Sequence, residues 1–71
     1  MEVKKIEILN KSDTNTIFSI TYKTWYGALK TRKAYRVRNL GFCRWLDNDE
    51  IIFNTGGICA ILDNNIETFE L

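Results

Sequence analysis

Residues 16–26 read Thr-Ile-Phe-Ser-Ile-Thr-Tyr-Lys-Thr-Trp-Tyr, and this stretch decides the fold class. Its alternate residues form two rows, one mainly large and apolar and the other mainly small or polar. The apolar row consists of Phe18, Ile20, Tyr22, Thr24 and Tyr26. A period of two in β-branched and aromatic residues is typical of a half-buried β-strand. The pattern therefore predicts a strand that ends where Gly27 follows.

Similar short runs occur on both sides of this strand, and polar turn residues separate them. We predict six strands, over residues 3–9, 16–26, 31–39, 50–54, 58–62 and 66–71. Residues 42–46 form a further short apolar run. The turns fall at residues 10–15, 47–49, 55–57 and 63–65, which are rich in Asn, Asp, Ser, Thr and Gly.

The connections between these strands are too short for parallel crossovers, so the strands are expected to pair antiparallel. We predict a single all-β domain over residues 1–71, folded as a curled sheet or as a small barrel of SH3-like or OB-like size. The alternative is an antiparallel meander with one short helix around residues 28–38. That helix is suggested by near-helical spacing of the apolar residues Tyr26, Leu29, Val37 and Leu40.

The composition excludes several kinds of chemistry. The chain has no histidine, which removes the commonest general base and the commonest metal ligand. Its two cysteines, Cys43 and Cys59, lie in apolar runs, and no apolar signal segment precedes them. We therefore predict a cytoplasmic protein with two buried, reduced thiols, with a disulfide between them as the alternative. We expect no metal site, no cofactor and no membrane span, which would need an apolar run of ~20 residues.

Two acidic clusters and one glycine pair are further candidates for metal-binding, catalytic or phosphate-binding sites. The segments Asp47-Asn48-Asp49 and Asp63-Asn64-Asn65 could bind a divalent cation weakly or perform acid–base chemistry, but both are typical of hairpin turns. Thr55-Gly56-Gly57 lacks the Lys-Ser/Thr pair of a phosphate-binding loop, so we predict another turn there. We expect that the protein is not an enzyme. An enzyme would require a pocket with perturbed acids near Asp47 or Asp63.

Charge is segregated along the chain. Residues 1–46 hold all ten Lys and Arg residues and three acids, for a net charge of +7. Residues 47–71 hold six acids and no basic residue, for a net charge of −6. One interpretation is that the two halves pack together and neutralise each other. The other is that the basic half recognises a partner.

Basic and aromatic residues are interleaved between positions 25 and 38. The predicted binding residues are Trp25, Lys30, Arg32, Lys33, Arg36, Arg38 and Arg44. On a strand, Arg32, Arg36 and Arg38 share one face and form a basic stripe. Trp25 falls in the polar row of its own strand, so we expect its side chain to be exposed. Arg and Trp dominate protein–protein hot spots, and the same residue types suit single-stranded nucleic acid.

These observations favour a non-catalytic intracellular protein-interaction module that acts as an adaptor, regulator or inhibitor. The alternative is a single-stranded nucleic-acid binder that uses the same surface, and the third hypothesis is a small enzyme. The expected partner is a protein, nucleic acid is the alternative, and a homodimer could form through a strand edge. The short chain, rich in Asn, Lys and Ile, fits a bacterial or phage accessory protein. If the acidic half covers the arginines, the basic stripe is no longer a binding surface.

Overall fold

Three long antiparallel strands form the centre of the fold. β1 (Glu2–Lys11) pairs with β2 (Asn15–Lys23), and β2 pairs with β3 (Leu29–Val37). Two shorter strands flank them: β4 (Arg44–Trp45) pairs with β3, and β5 (Thr68–Glu70) pairs with β1. The sheet order is β4-β3-β2-β1-β5. The computed structural model describes residues 2–53, 56–64 and 68–70.

One helix packs against a face of this sheet. α1 (Gly56–Asp63) presents Ile58, Cys59 and Leu62 to the core, a spacing that places all three on one side of a helix. These side chains join the apolar residues of β1, β2 and β3 in one buried cluster. We call the side of the sheet that carries α1 the core face and the opposite side the outer face. No helix among the described residues is long and apolar enough to cross a membrane.

The alternating pattern of the second strand is confirmed. Phe18, Ile20 and Tyr22 are buried on the core face, and Phe18 and Ile20 have no exposed surface at all. The alternation of buried and exposed residues ends with β2, because Tyr26, although part of the apolar row, lies in the following turn and is half exposed. The burial of these side chains removes a large apolar area from water, which is the main favourable term for folding.

The predicted antiparallel, mainly β architecture is present, but the assignments made for residues 56–63 were wrong. Residues 56–63 form α1, where the sequence predicted a turn at 55–57 and a strand at 58–62. A continuous apolar run of five residues does not distinguish a strand from a buried helix, and here the helical arrangement buries the apolar side chains. Residues 28–38, the alternative position for a helix, instead contain β3.

The sheet is open within the described residues. β4 and β5 are its two edges, and no strand pairing joins them, so these strands do not close into a barrel. Of the strand expected at 50–54, the described residues 50–53 contribute an isolated bridge from Ile51 to Arg44, and residue 54 lies outside the described residues. Of the strand expected at 66–71, β5 covers residues 68–70 and the remainder lies outside the described residues. Residue 55, the first of the turn predicted at 55–57, also lies outside the described residues.

Candidate interaction surface

Arg36, predicted to belong to a binding stripe, is buried on the core face. Strand alternation places Arg32, Ala34 and Arg36 on this face, and Arg36 is only 9% exposed. Its Nε donates a hydrogen bond of 2.7 Å to the carbonyl oxygen of Leu40, and its Nη1 donates to the carboxylate of Asp63 at the end of α1. Burial acts to lower the pKa of Arg36, but the hydrogen bond and charge of Asp63, together with Cys59 and Cys43, raise it overall. Arg36 therefore attaches α1 to the sheet.

Arg32 is also held by the acidic half of the chain. Its Nη2 lies 2.9 Å and 3.1 Å from the two carboxylate oxygens of Asp47. Its guanidinium carbon lies 4.0 Å from the centre of the Trp45 ring, close enough for a cation–π contact. Arg32 thus covers Trp45 and pairs with the turn that follows it. The interpretation that the two halves pack together and neutralise each other accounts for both arginines.

The other predicted binding residues lie in different places. Arg44 is partly buried, and its Nη1 donates 2.6 Å to the carbonyl oxygen of Asp49. Arg38 is exposed, and its Nη1 lies 3.5 Å from the carbonyl oxygen of Asp13. Lys30 and Lys33 are exposed on β3, and Trp25 lies in the turn between β2 and β3. The seven residues therefore do not form one continuous stripe.

The turn between β2 and β3 holds its residues in a defined arrangement. Thr24 makes three hydrogen bonds across it: its N–H donates to Ala28 O at 2.8 Å, its carbonyl accepts from Gly27 N at 3.0 Å, and its hydroxyl accepts from Ala28 N at 3.0 Å. Gly27 has a φ of 87°, a conformation that a residue with a Cβ rarely adopts. The turn is therefore well fixed, and it projects Trp25 away from the sheet.

Trp25 is the most exposed large apolar residue of the described chain, with 93% of its surface accessible. Its ring contacts Tyr26 edge-to-face, with ring centres 5.1 Å apart. Lys30 Nζ lies 5.8 Å from the centre of the Tyr26 ring, and its hydrogen bond lowers the pKa of Tyr26. Leu29 beside them is 65% exposed. We call this group, Trp25, Tyr26, Leu29 and Lys30, the hairpin tip.

The chain was compared with family models, with curated proteins and with solved structures. No match was found in any of the three comparisons. The geometry of the surface is therefore the main guide to function. The predicted exposure of Trp25, inferred from its place in the polar row, is confirmed. Tyr26 and Leu29 were not among the predicted binding residues, although their position at the end of a strand hairpin could have indicated them.

Both cysteines are buried, as predicted, and no disulfide joins them. Burial, and to a smaller extent the neighbouring Cys59, raises the pKa of the Cys43 thiol to about 12, while Arg36 acts in the opposite direction. The Cys59 thiol contacts the carbonyl oxygen of Leu40 at 3.8 Å. A thiol with such a pKa is protonated at neutral pH and is a poor nucleophile.

The acidic cluster at residues 47–49 makes contacts typical of a structural turn, whereas Asp63 of the second cluster is the last residue of α1 and not part of a hairpin turn. Asp49 N donates 2.9 Å to Trp45 O, and Glu50 N donates 3.0 Å to the side chain of Asn48, which closes the turn predicted at 47–49. Asp49 also accepts a hydrogen bond of 2.8 Å from the Tyr35 hydroxyl, which raises the pKa of Tyr35. Within the described ranges, no group of three or more Cys, Asp or Glu residues could hold a metal ion.

A polar cavity of about 530 Å³ lies between the β1–β2 turn and the end of α1. Three cations line it, namely Lys11, Arg36 and Arg38, together with Asp13 and Asp63. Lys11 Nζ lies 3.3 Å from the carbonyl oxygen of Leu62 in the last turn of α1, where a positive charge is favourable. Asp63 holds Arg36 at the same place. These contacts fix the end of the helix, and they do not favour binding of an anion.

Proposed function

We propose that this chain is a non-catalytic protein-interaction module, an adaptor, regulator or inhibitor, that contacts its partner protein through the hairpin tip. The observation that carries the proposal is the 93% exposure of Trp25 on a turn fixed by three hydrogen bonds. The cytoplasmic location and the bacterial or phage origin expected from the sequence belong to the same proposal.

Two physical arguments support the hairpin tip as a contact site. Burying a Trp side chain in a partner removes ~150–250 Å² of apolar surface from water, and Trp is enriched among the residues that dominate binding energy. The turn already holds Trp25 and Tyr26 in place, so binding loses less conformational entropy than it would for a mobile loop. Leu29 and Lys30 add an apolar contact and a charge beside the two rings.

The test compares Trp25→Ala with Phe53→Ala as a matched control. Phe53 is 89% exposed but lies far along the chain, outside the hairpin tip. Proteins retained by the immobilised wild type from nuclease-treated source-cell lysate are identified, and the partner is then purified and titrated with all three proteins. We expect Trp25→Ala to weaken binding at least ~30-fold, the effect of losing about 2 kcal/mol, and Phe53→Ala to change it less than about threefold.

Equal affinities for the wild type and Trp25→Ala would contradict the proposal. A loss of equal size in both variants would also contradict it, because the effect would then not be specific to the hairpin tip. Circular dichroism of the variants confirms that they are folded. Since both side chains are exposed, neither change is expected to alter stability by more than about 0.5 kcal/mol.

The second candidate function is binding of single-stranded nucleic acid. Trp25, Lys30, Lys33 and Arg38 are all exposed, and rings combined with cations suit stacking on bases and contact with phosphates. This candidate is weaker because Arg32 and Arg36 are already paired with carboxylates. Salt dependence distinguishes the two, since phosphate contacts weaken steeply as salt is raised.

A further inference from the structure

The edge of β3 nearest the hairpin tip is open. β4 pairs with β3 only at Ala34 and Tyr35, and the next contact is a hydrogen bond of 3.0 Å from Leu46 N to Lys33 O. After Leu46 the chain turns away. Within the described residues, positions 29–32 of β3 therefore have a neighbouring strand on one side only, which is β2.

The hydrogen bond from Leu46 fixes which peptide groups face that open edge. In a strand, the N–H and C=O of one residue point to the same side, and those of the next residue point to the other side. The backbone N–H and C=O of Lys33 point toward β4, so the backbone groups of Leu29 and Thr31 point to the same side. Residues at even positions should then use their backbone groups on the β2 side. Two hydrogen bonds agree with this: Ala28 O accepts from Thr24 N, and Arg38 N donates to Thr14 O. The open edge thus presents backbone donors and acceptors to an incoming strand.

There is space for an added strand beside this edge. A cavity of about 490 Å³ lies where β4 leaves β3, and its lining residues are Thr31, Arg32, Lys33, Leu46 and Asp47. Leu46 is 45% exposed and Leu29 is 65% exposed, so apolar side chains of an added strand would find contacts at both ends. The edge continues directly into the hairpin tip, which shares Leu29 and Lys30 with it.

The charge of the edge selects the chemistry of the added strand. Residues 29–33 read Leu-Lys-Thr-Arg-Lys, with three basic residues in five. Lys30 and Lys33 are exposed, and Asp47, the carboxylate that lines the cavity, is paired with Arg32. A second copy that paired antiparallel through the same edge, centred on Thr31, would place Lys30 opposite Arg32, and like charges directly opposite are destabilising. An acidic strand would instead place carboxylates beside them.

We propose that an acidic, extended peptide segment of the partner protein adds to β3 as a further strand at residues 29–33. This inference rests on the proposed function and specifies how the partner is bound. Backbone hydrogen bonds to Leu29 and Thr31 supply the pairing, and Lys30 and Lys33 select acidic side chains. Trp25 and Tyr26 contact the partner next to the end of the added strand.

Fluorescein-labelled octapeptides built on the repeat Val-Glu-Glu serve as the probe, because Lys30 and Lys33 lie on opposite faces of β3 and this repeat places carboxylates on both faces of the added strand. A second peptide has Gln in place of every Glu, and a third has Lys in place of every Glu. We expect the Glu peptide to bind the wild-type chain at least tenfold more tightly than the Gln peptide, and the Lys peptide not to bind. In NMR spectra, the amide signals of Leu29 and Thr31 are expected to shift on binding and to become protected from hydrogen exchange.

The decisive variant is Thr31→Pro, with Thr31→Val as its matched control. Proline removes the N–H that faces the open edge and leaves the bonds to β2, and an edge strand tolerates it. Both variants lose the 2.9 Å hydrogen bond between the Thr31 and Thr21 hydroxyls, so the missing N–H and the fixed φ of proline are what distinguish them. We expect Thr31→Pro to weaken binding of the Glu peptide at least tenfold and Thr31→Val less than threefold.

A second variant keeps the proposal testable if Thr31→Pro does not fold. Replacing Lys30 and Lys33 together with Glu should reverse the preference, so that the Lys peptide binds and the Glu peptide does not. The proposal is overturned if the Glu and Gln peptides bind equally, if neither binds below about 1 mM, or if an oligonucleotide alone binds this edge. If the purified partner still depends on Trp25 in any of these cases, the proposed function stands and only the strand addition fails.

Discussion

Arg36 and Arg38 lie two residues apart in the same basic stretch, yet their surroundings differ. Arg36 is buried with hydrogen bonds to Leu40 and Asp63, and Arg38 is exposed with a single long contact to a carbonyl oxygen. A guanidinium that leaves water requires a carboxylate and further acceptors, because burying an unpaired charge costs several kcal/mol. Arg36 therefore stabilises the fold, whereas Arg38 is exposed on the surface.

This difference predicts the effects of two matched substitutions on stability. Arg36→Ala removes the link between β3 and the end of α1, and we expect it to lower the free energy of unfolding by about 2–4 kcal/mol. Arg38→Ala is expected to change that free energy by less than about 0.5 kcal/mol. Urea unfolding followed by circular dichroism measures both. Equal effects of the two substitutions would contradict the assigned role of Arg36.

From the raised pKa of the Cys43 thiol we expect the free energy of unfolding to fall at alkaline pH. Burial raises its pKa from 9.0 to about 12, so between these values the unfolded chain releases the proton while the folded chain keeps it. The free energy of unfolding therefore falls as pH rises above about 9, by up to about 1.4 kcal/mol per pH unit for this group. Urea unfolding between about pH 8 and 10.5 should show a shallower decline for Cys43→Ala than for the wild type. Identical slopes would show that Cys43 is not the cause.

At the scale of elements, the sequence predicted strands better than it predicted the helix. The alternation in β2 extends over nine residues and has one structural meaning, whereas the apolar run at 58–62 is compatible with two. A strand at 58–62 would be favoured by hydrogen bonds to a neighbouring strand. The helix is favoured because it packs Ile58 and Leu62 against the core face of the sheet. That choice depends on tertiary contacts, which local patterns do not contain.

Two glycine substitutions test the helix and the turn between β2 and β3. Gly57 lies in α1 with nothing within 4 Å of the position of a Cβ, so Gly57→Ala should raise the free energy of unfolding by about 0.5 kcal/mol. Gly27 has a φ of 87°, so Gly27→Ala should lower it by about 1 kcal/mol or more. Thermal unfolding of the two variants gives the signs. If Gly57→Ala also destabilises the protein, the residue is in a turn, as the sequence alone predicted.

At the scale of the whole molecule, the segregated charges are largely used inside the fold. Asp47 pairs with Arg32, Asp63 with Arg36, and Glu70 with Lys5, so acids late in the chain neutralise basic residues early in it. The segregation of charge along the sequence suggests that the two halves pair, but it does not show which residues pair. Asp63 reaches Arg36 because α1 packs on the sheet, and Asp47 reaches Arg32 because of the turn after β4. The exposure of Trp25 was predicted from strand alternation, but its physical reason is different, because Trp25 lies in the turn after β2 ends at Lys23.

The central claim is that the arginines of β3 hold the fold together and that the hairpin tip makes the contact with a partner protein. The most direct test is a titration of labelled single-stranded DNA with the purified chain, at low salt and then at raised salt. Because Asp47 and Asp63 neutralise Arg32 and Arg36, the account predicts no binding in the micromolar range at low salt and no quenching of Trp25 fluorescence. Micromolar binding that falls steeply with salt and quenches Trp25 would contradict it and would establish the nucleic-acid alternative.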